Sequence, residues 1–129
     1  MAQIQNTVAD QTSSIERSLP NDIMAEQSTL GGMLISMDAV AVVNEYVKSP
    51  DFYAPKHEVI YDAIMNLFAK GEPVDAISVT AELTRSGTLV RAGGADYVHS
   101  LTSIVPTAAN VAYYAKIVAD KAILRRLIE

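Results

Sequence analysis

Apolar side chains return every three or four residues through most of this chain, and the breaks between those stretches fall on proline, glycine and serine. After Leu19-Pro20-Asn21, the residues Ile23, Leu30, Met33 and Leu34 recur at helical spacing, with Asn21 a candidate N-cap and Asp22 and Glu26 placing acid in the first turns. Met37 to Lys48 reads as a short second helix ended by Ser49-Pro50. The clearest helix follows: Pro55 stands in its first turn, Ile60, Tyr61, Ile64, Leu67 and Phe68 form its stripe, and Lys70-Gly71 closes it. Ser78 is placed to cap a fourth helix running through Arg85 and stopped by Gly87. Gly93-Gly94 leads into a fifth over Ala95 to Thr102, and Pro106-Thr107 opens a sixth that runs to the last residue. Sustained alternation and Asn-Gly hairpin turns are both missing, so the predicted class is all-α with six helices. Residues 1–18 are polar and aperiodic, and are expected to form a disordered arm.

Two features of the pattern ask for an explanation. The first is Gly31-Gly32 inside the first helix. Two glycines cost a helix roughly 2 kcal/mol relative to alanine, so the expectation is that another helix packs closely on the bare backbone. A phosphate cradle needs G-x-G-x-x-G or G-x-x-x-x-G-K-[ST], and neither occurs.

The second is the final helix, which carries two apolar stripes. At about 100° per residue, Val111, Tyr114, Ala115, Val118 and Ala122 share one face. Tyr113, Ile117, Leu124 and Ile128 share the opposite one, with Leu127 beside them. A helix packed once onto a domain needs a single stripe. The first stripe stops at Ala122 and is followed by Arg125, Arg126 and Glu129. The helix is therefore expected to lie on the domain, leave it after Ala122, and keep one apolar face for a partner. The candidate contact residues are Tyr113, Ile117, Leu124, Leu127 and Ile128, with Arg125 and Arg126 at the rim. Since no glycine, asparagine or proline closes this helix, the chain is expected to stop within a longer helical arm.

Composition adds limits rather than a function. Half of the 129 residues are hydrophobic, enough for one core. The absence of cysteine removes disulfides and thiolate metal sites. The longest apolar runs, such as Gly31 to Met37, fall far short of the roughly 20 residues that cross a bilayer, so a soluble cytoplasmic protein without a membrane partner is expected. Residues 1–115 hold six Lys/Arg against thirteen Asp/Glu, while residues 116–129 hold four against two. An acidic body repels phosphate, which argues against tight nucleic-acid binding by the body itself. Candidate chemistry is sparse. His57 and His99 stand apart without H-x-x-x-H spacing, and His57 reads as a packed, hydrogen-bonded residue of the third helix. Glu72 and Asp75 are accounted for by a turn and a helix cap. No catalytic, cofactor or metal residue is assigned.

Five ordered blocks then carry a resemblance. "LPNDIMAEQSTLGGML", "DFYAPKHEVIYDAI", "GEPVDAISVTAELTRSGTL", "GGADYVHSL" and "PTAANVAYYAKIVADKAILRRLI" together resemble the N-terminal domain of bacterial replicative helicases of the DnaB type, over residues 19 to 129. Thr29 departs from it, standing where the family more often has an aliphatic side chain. The resemblance implies a helical head over 19–106 and the first arm of a helical hairpin over 107–129, cut short. It also implies a parent whose RecA-like ATPase domain, with its ATP and Mg, is absent from this chain. By the same token, the implied role is a non-catalytic collar of dimers within a homohexamer that unwinds duplex DNA. The implied partners are other subunits, the primase C-terminal domain in the primosome, a helicase loader in some systems, and single-stranded DNA through the parent hexamer only. The alternatives are a stand-alone helical adaptor for a partner helix, and a DNA-binding module using Arg125-Arg126.

Overall fold

In the computed structural model, which describes residues 19–129, the chain is helical throughout its regular structure, without a strand among the described residues. The helices are α1 (Ile23–Ile35), α2 (Met37–Tyr46), α3 (Pro55–Ala69), α4 (Ala76–Arg85), α5 (Ala95–Leu101) and α6 (Val111–Ile128), with a 3-10 turn at Ser49–Asp51 between α2 and α3. The six-helix, all-α expectation holds. The arm expected over residues 1–18 lies outside the described residues.

α1 is the centre of the packing: it touches α2, α3, α5 and α6, and every residue from Ala25 to Leu34 except Gln27 is buried. A helix enclosed this way is apolar nearly all round, which is why Leu30, Met33 and Leu34 share it with small residues. The glycine pair does what the pattern requires. A Cβ on Gly31 would lie 2.3 Å from the Leu101 carbonyl oxygen at the end of α5, and one on Gly32 would lie 2.8 Å from Cγ2 of Val111 at the start of α6. Thr29, the departure from the family pattern, is fully buried and donates its hydroxyl to the Ala25 carbonyl at 2.7 Å. The polar atom is thereby satisfied within its own helix.

Helix ends follow the sequence in part. Gly71 and Gly87 both take left-handed φ, 70° and 74°, after α3 and α4. The two turns are closed alike, by Glu72 N–H to the Leu67 carbonyl at 3.0 Å and Thr88 N–H to the Leu83 carbonyl at 2.9 Å, as a Schellman motif requires. Three starts differ from expectation. Asp22, not Asn21, caps α1, its Oδ1 accepting from Ala25 N–H at 2.9 Å; Asn21 instead donates to the Leu19 carbonyl at 2.7 Å. Asp75, also read from the sequence as a capping residue, caps α4 in place of Ser78 by accepting from Ser78 N–H at 2.7 Å. α6 begins at Val111 rather than at Pro106-Thr107, because the Thr107 hydroxyl accepts from Ala109 N–H at 3.2 Å and holds a turn there. α2 stops two residues early, at Tyr46, with Val47 extended and buried.

The α3–α4 pair is tied by a carboxylate. Glu82, buried, accepts from Arg85 Nε and Nη2 at 2.9 and 2.8 Å and from Asn66 Nδ2 at 2.9 Å. The hydrogen bond from Arg85 is the main reason its pKa falls from 4.5 to about 2.

Two predictions test this packing. Gly31→Ala gains about 1 kcal/mol of helix propensity, so if the site were open the variant would be stabilised. Contact with a backbone carbonyl reverses the sign, and the expected loss in urea denaturation is about 2 kcal/mol or more. Because the folded-state pKa of Glu82 is depressed, its contribution is complete above the ordinary value of 4.5 and is lost as pH falls toward about 2. The acid limb of stability against pH should flatten over that window in Glu82→Gln, as read by urea midpoints.

Candidate protein interface on the final helix

α6 has a binding face and a free face, as its sequence implies. Val111, Ala115, Val118 and Ala122 recur at steps of four, three and four and are buried against α1 and α2. The small side chains let the helices approach closely. On the opposite side Tyr113 is 66 % exposed and Leu127 78 % exposed, and Leu124 and Ile128 are exposed with them. Isolated apolar side chains on a surface are ordinary, but several along one helix face form a patch. Asp120, at the middle of that face, is its one acidic interruption.

Two of the expected contact residues sit differently. Ile117 is half-buried, packed against the core and lining a groove of about 320 Å³ with Met24, Ile104, Pro106 and Tyr114. This groove extends the free face of α6 sideways onto α1 and the α5–α6 connection. Arg125 is not a rim residue. It is only 8 % exposed, and its guanidinium donates from Nη1 to the Pro20 carbonyl at 2.8 Å and from Nη2 to the Asp51 carbonyl at 2.6 Å. The buried stripe therefore runs one step beyond Ala122, through an arginine, and the helix stays on the head where the pattern has it leaving. The wheel reads a charge as a boundary, whereas here the guanidinium's donors are satisfied by main-chain acceptors the sequence does not announce. Arg126 remains exposed and pairs with the Asp51 carboxylate. Both arginines are thus engaged by the domain itself. Ile123, exposed beside the free face, completes the apolar set without having been singled out by spacing.

The other polar cluster is internal. Glu26 is 1 % exposed and its carboxylate accepts from Tyr53 N–H at 2.7 Å, Ala54 N–H at 3.3 Å and His57 Nδ1 at 2.7 Å. The other ring nitrogen, Nε2, meets the Tyr97 hydroxyl at 2.5 Å, and that hydroxyl also receives Gln27 Nε2 at 3.2 Å. With the proton on Nδ1, every one of these donors and acceptors is used. Lys56 Nζ lies 3.7 Å from the centre of the Tyr97 ring on the surface above. His57 is thus a packed, hydrogen-bonded residue, as read from its isolation in sequence. Glu26 does stand in the first turn of α1, as read from the sequence, and it also accepts from the main chain just ahead of α3, whose N-cap residue Ala54 makes no side-chain cap of its own. His99 is exposed and takes no part. Among the described residues no three His, Cys, Asp or Glu side chains gather as metal ligands, and no helix is long and apolar enough to cross a membrane.

Known proteins resemble this chain in sequence and fold. The family model described as "DnaB-like helicase N terminal domain" matches residues 18–120. The chain is 65 % identical over 116 residues to the replicative DNA helicase DnaB of Leifsonia xyli subsp. xyli (strain CTCB07), covering 90 % of this chain and 25 % of that protein. It is 60 % identical over 113 residues to the replicative DNA helicase DnaB of Mycobacterium leprae (strain TN), covering 88 % and 19 %. The crystal structure of the N-terminal domain of DnaB helicase from Mycobacterium tuberculosis superposes with a TM-score of 0.83 at 60 % identity, covering 84 % of this chain and 76 % of that one. The chain spans a quarter or less of the length of these two helicases.

Removing the Glu26 carboxylate leaves two main-chain donors and an imidazole unmatched in the interior. Glu26→Ala is expected to lower unfolding free energy by about 3 kcal/mol. Glu26→Gln should recover little of that, since its amide presents donors to donors. Full stability of the Gln variant in urea denaturation would mean that the acceptors are not needed.

Proposed function

We infer the role of this chain from one premise: it belongs to the DnaB-like helicase N terminal domain family. It serves as a non-catalytic collar domain of a replicative DNA helicase, pairing with the same domain of a neighbouring subunit in a hexameric ring. The observation that carries this reading is the division of α6 into two faces. One holds the domain together, and the other presents Tyr113, Ile123, Leu124, Leu127 and Ile128 to solvent. Exposed at this density, an apolar face costs solubility unless a partner helix covers it. A partner laying leucines and isoleucines along it removes that surface from water at roughly 25 cal/mol per Å².

ATP hydrolysis, Mg binding and movement along single-stranded DNA belong in this reading to the rest of the parent helicase. So does the unwinding of duplex DNA. The collar contributes spacing and docking: it sets how subunits pair and offers a surface to the primase C-terminal domain or to a loader. Direct DNA binding by this domain is disfavoured, because Arg125 and Arg126 are engaged by Pro20 and Asp51 and the body is acidic.

Sedimentation of the chain across a concentration series tests the pairing. The expected result is concentration-dependent self-association that Leu127→Asp or Leu124→Asp weakens by about tenfold or more, since a charge is forced into an apolar contact. A dimer indifferent to both substitutions would place the contact elsewhere and overturn the reading.

A further inference from the structure

Past Ala122, the only buried residue of α6 is Arg125. Its planar fork spans two main-chain carbonyls from separate segments, that of Pro20 at the approach to α1 and that of Asp51 in the 3-10 turn between α2 and α3. Its guanidinium also lies 5.4 Å from the centre of the Tyr53 ring. The turn it grips is itself braced, because Asp51 Oδ2 accepts from Lys48 N–H at 2.8 Å. The other carboxylate oxygen of Asp51 pairs with Arg126. One residue thus receives both arginines, Arg125 on its main chain and Arg126 on its side chain.

A helix end held only by Ala122 would be free to roll or to fray. Rolling by one residue turns the helix by about 100°, which would carry Leu124, Leu127 and Ile128 away from the face they now form. We propose that Arg125 is a positioning residue that fixes the rotation and exit direction of the last two turns of α6, with the Asp51–Arg126 pair as an outer, salt-sensitive latch. The consequence for assembly rests on the reading of the free α6 face as the pairing surface; the clamp can be measured without it. Charged hydrogen bonds to main-chain acceptors are directional, so the arginine specifies an angle where an aliphatic side chain would only supply contact.

Amide hydrogen exchange on the full chain, at concentrations where it is monomeric, reads the clamp directly. In Arg125→Met, exchange at Leu124, Leu127 and Ile128 should accelerate by about tenfold to a hundredfold, while Leu30 and Ile64 in α1 and α3 keep their protection. Arg125→Lys should fall between, because one ammonium replaces a fork that spans two carbonyls. Arg126→Ala should give a smaller acceleration and remove the difference between low salt and about 0.5 M salt. The proposal is overturned if Arg125→Lys and Arg125→Met leave the end of α6 as protected as before. It is equally overturned if protection falls by the same factor at Leu30 and Ile64, since the arginine then supports the whole fold without directing α6. Should Leu124→Asp and Leu127→Asp both leave self-association unchanged while Arg125→Met still frees the helix end, the pairing reading fails and the clamp stands.

Discussion

The head is tied together through one buried carboxylate. Glu26 lies on α1, the helix at the centre of the packing, and it reaches across to Tyr53 and Ala54, just ahead of α3, and to His57 in its first turn. A helix beginning at Pro55 after an alanine N-cap has no acceptor of its own for the approaching main-chain donors. Supplying that acceptor from α1 fixes where α3 starts and how it is rotated. Through His57 and Tyr97 the same chain of hydrogen bonds reaches α5. Three helices are therefore set in register by polar geometry, in a core whose other contacts are mostly apolar and less directional. Such a network can specify one packing among several of similar hydrophobic content, provided every member is satisfied.

The second constraint is crowding around α1. Enclosing a helix on several sides requires neighbours to approach its backbone, and the approach is closest where Gly31 meets the Leu101 carbonyl and Gly32 meets Val111. These contacts lie at the end of α5 and the start of α6, so they fix the connection between the two. From there α6 runs back along α1 and α2, presenting Ala115, Val118 and Ala122 to them. Glycines on one helix and small side chains on the other serve one purpose, bringing axes close enough for main chain and methyl groups to pack.

Much of this was legible in the sequence, for reasons that differ by element. Stops at Gly71 and Gly87 follow from a backbone requirement that few residues besides glycine meet, so one residue suffices to read them. The stripe of α3 and the close approach at Gly31 follow from periodicity and from the cost of glycine within a helix. Helix starts were less legible: Asn21 and Asp22, or Asp75 and Ser78, are all competent caps, and only the local main chain decides which accepts. The burial of Glu26 and of Arg125 is not legible for a deeper reason. Each charge is buried because acceptors or donors from segments 27, 74 or 105 residues away converge on it, and no local pattern carries that information. Of the free face, the sequence marked Tyr113, Leu124, Leu127 and Ile128 correctly as to exposure. It placed Ile117 too far out and passed over Ile123.

The burial of Arg125 changes what the free face of α6 means. Had the helix left the head after Ala122, its apolar residues would belong to a flexible extension, and a partner would have to bear the entropy of ordering it. Held through Arg125, the last turns are already ordered, and the angle at which they present Leu124 and Leu127 is a property of the head. A surface fixed in advance recognises a partner with less entropic loss and discriminates by angle as well as by apolar area. In the ring proposed above, neighbouring subunits would have to meet at a set orientation for the assembly to close, and a surface fixed in advance meets that requirement. The packing that buries α1 thus also decides where α6 points.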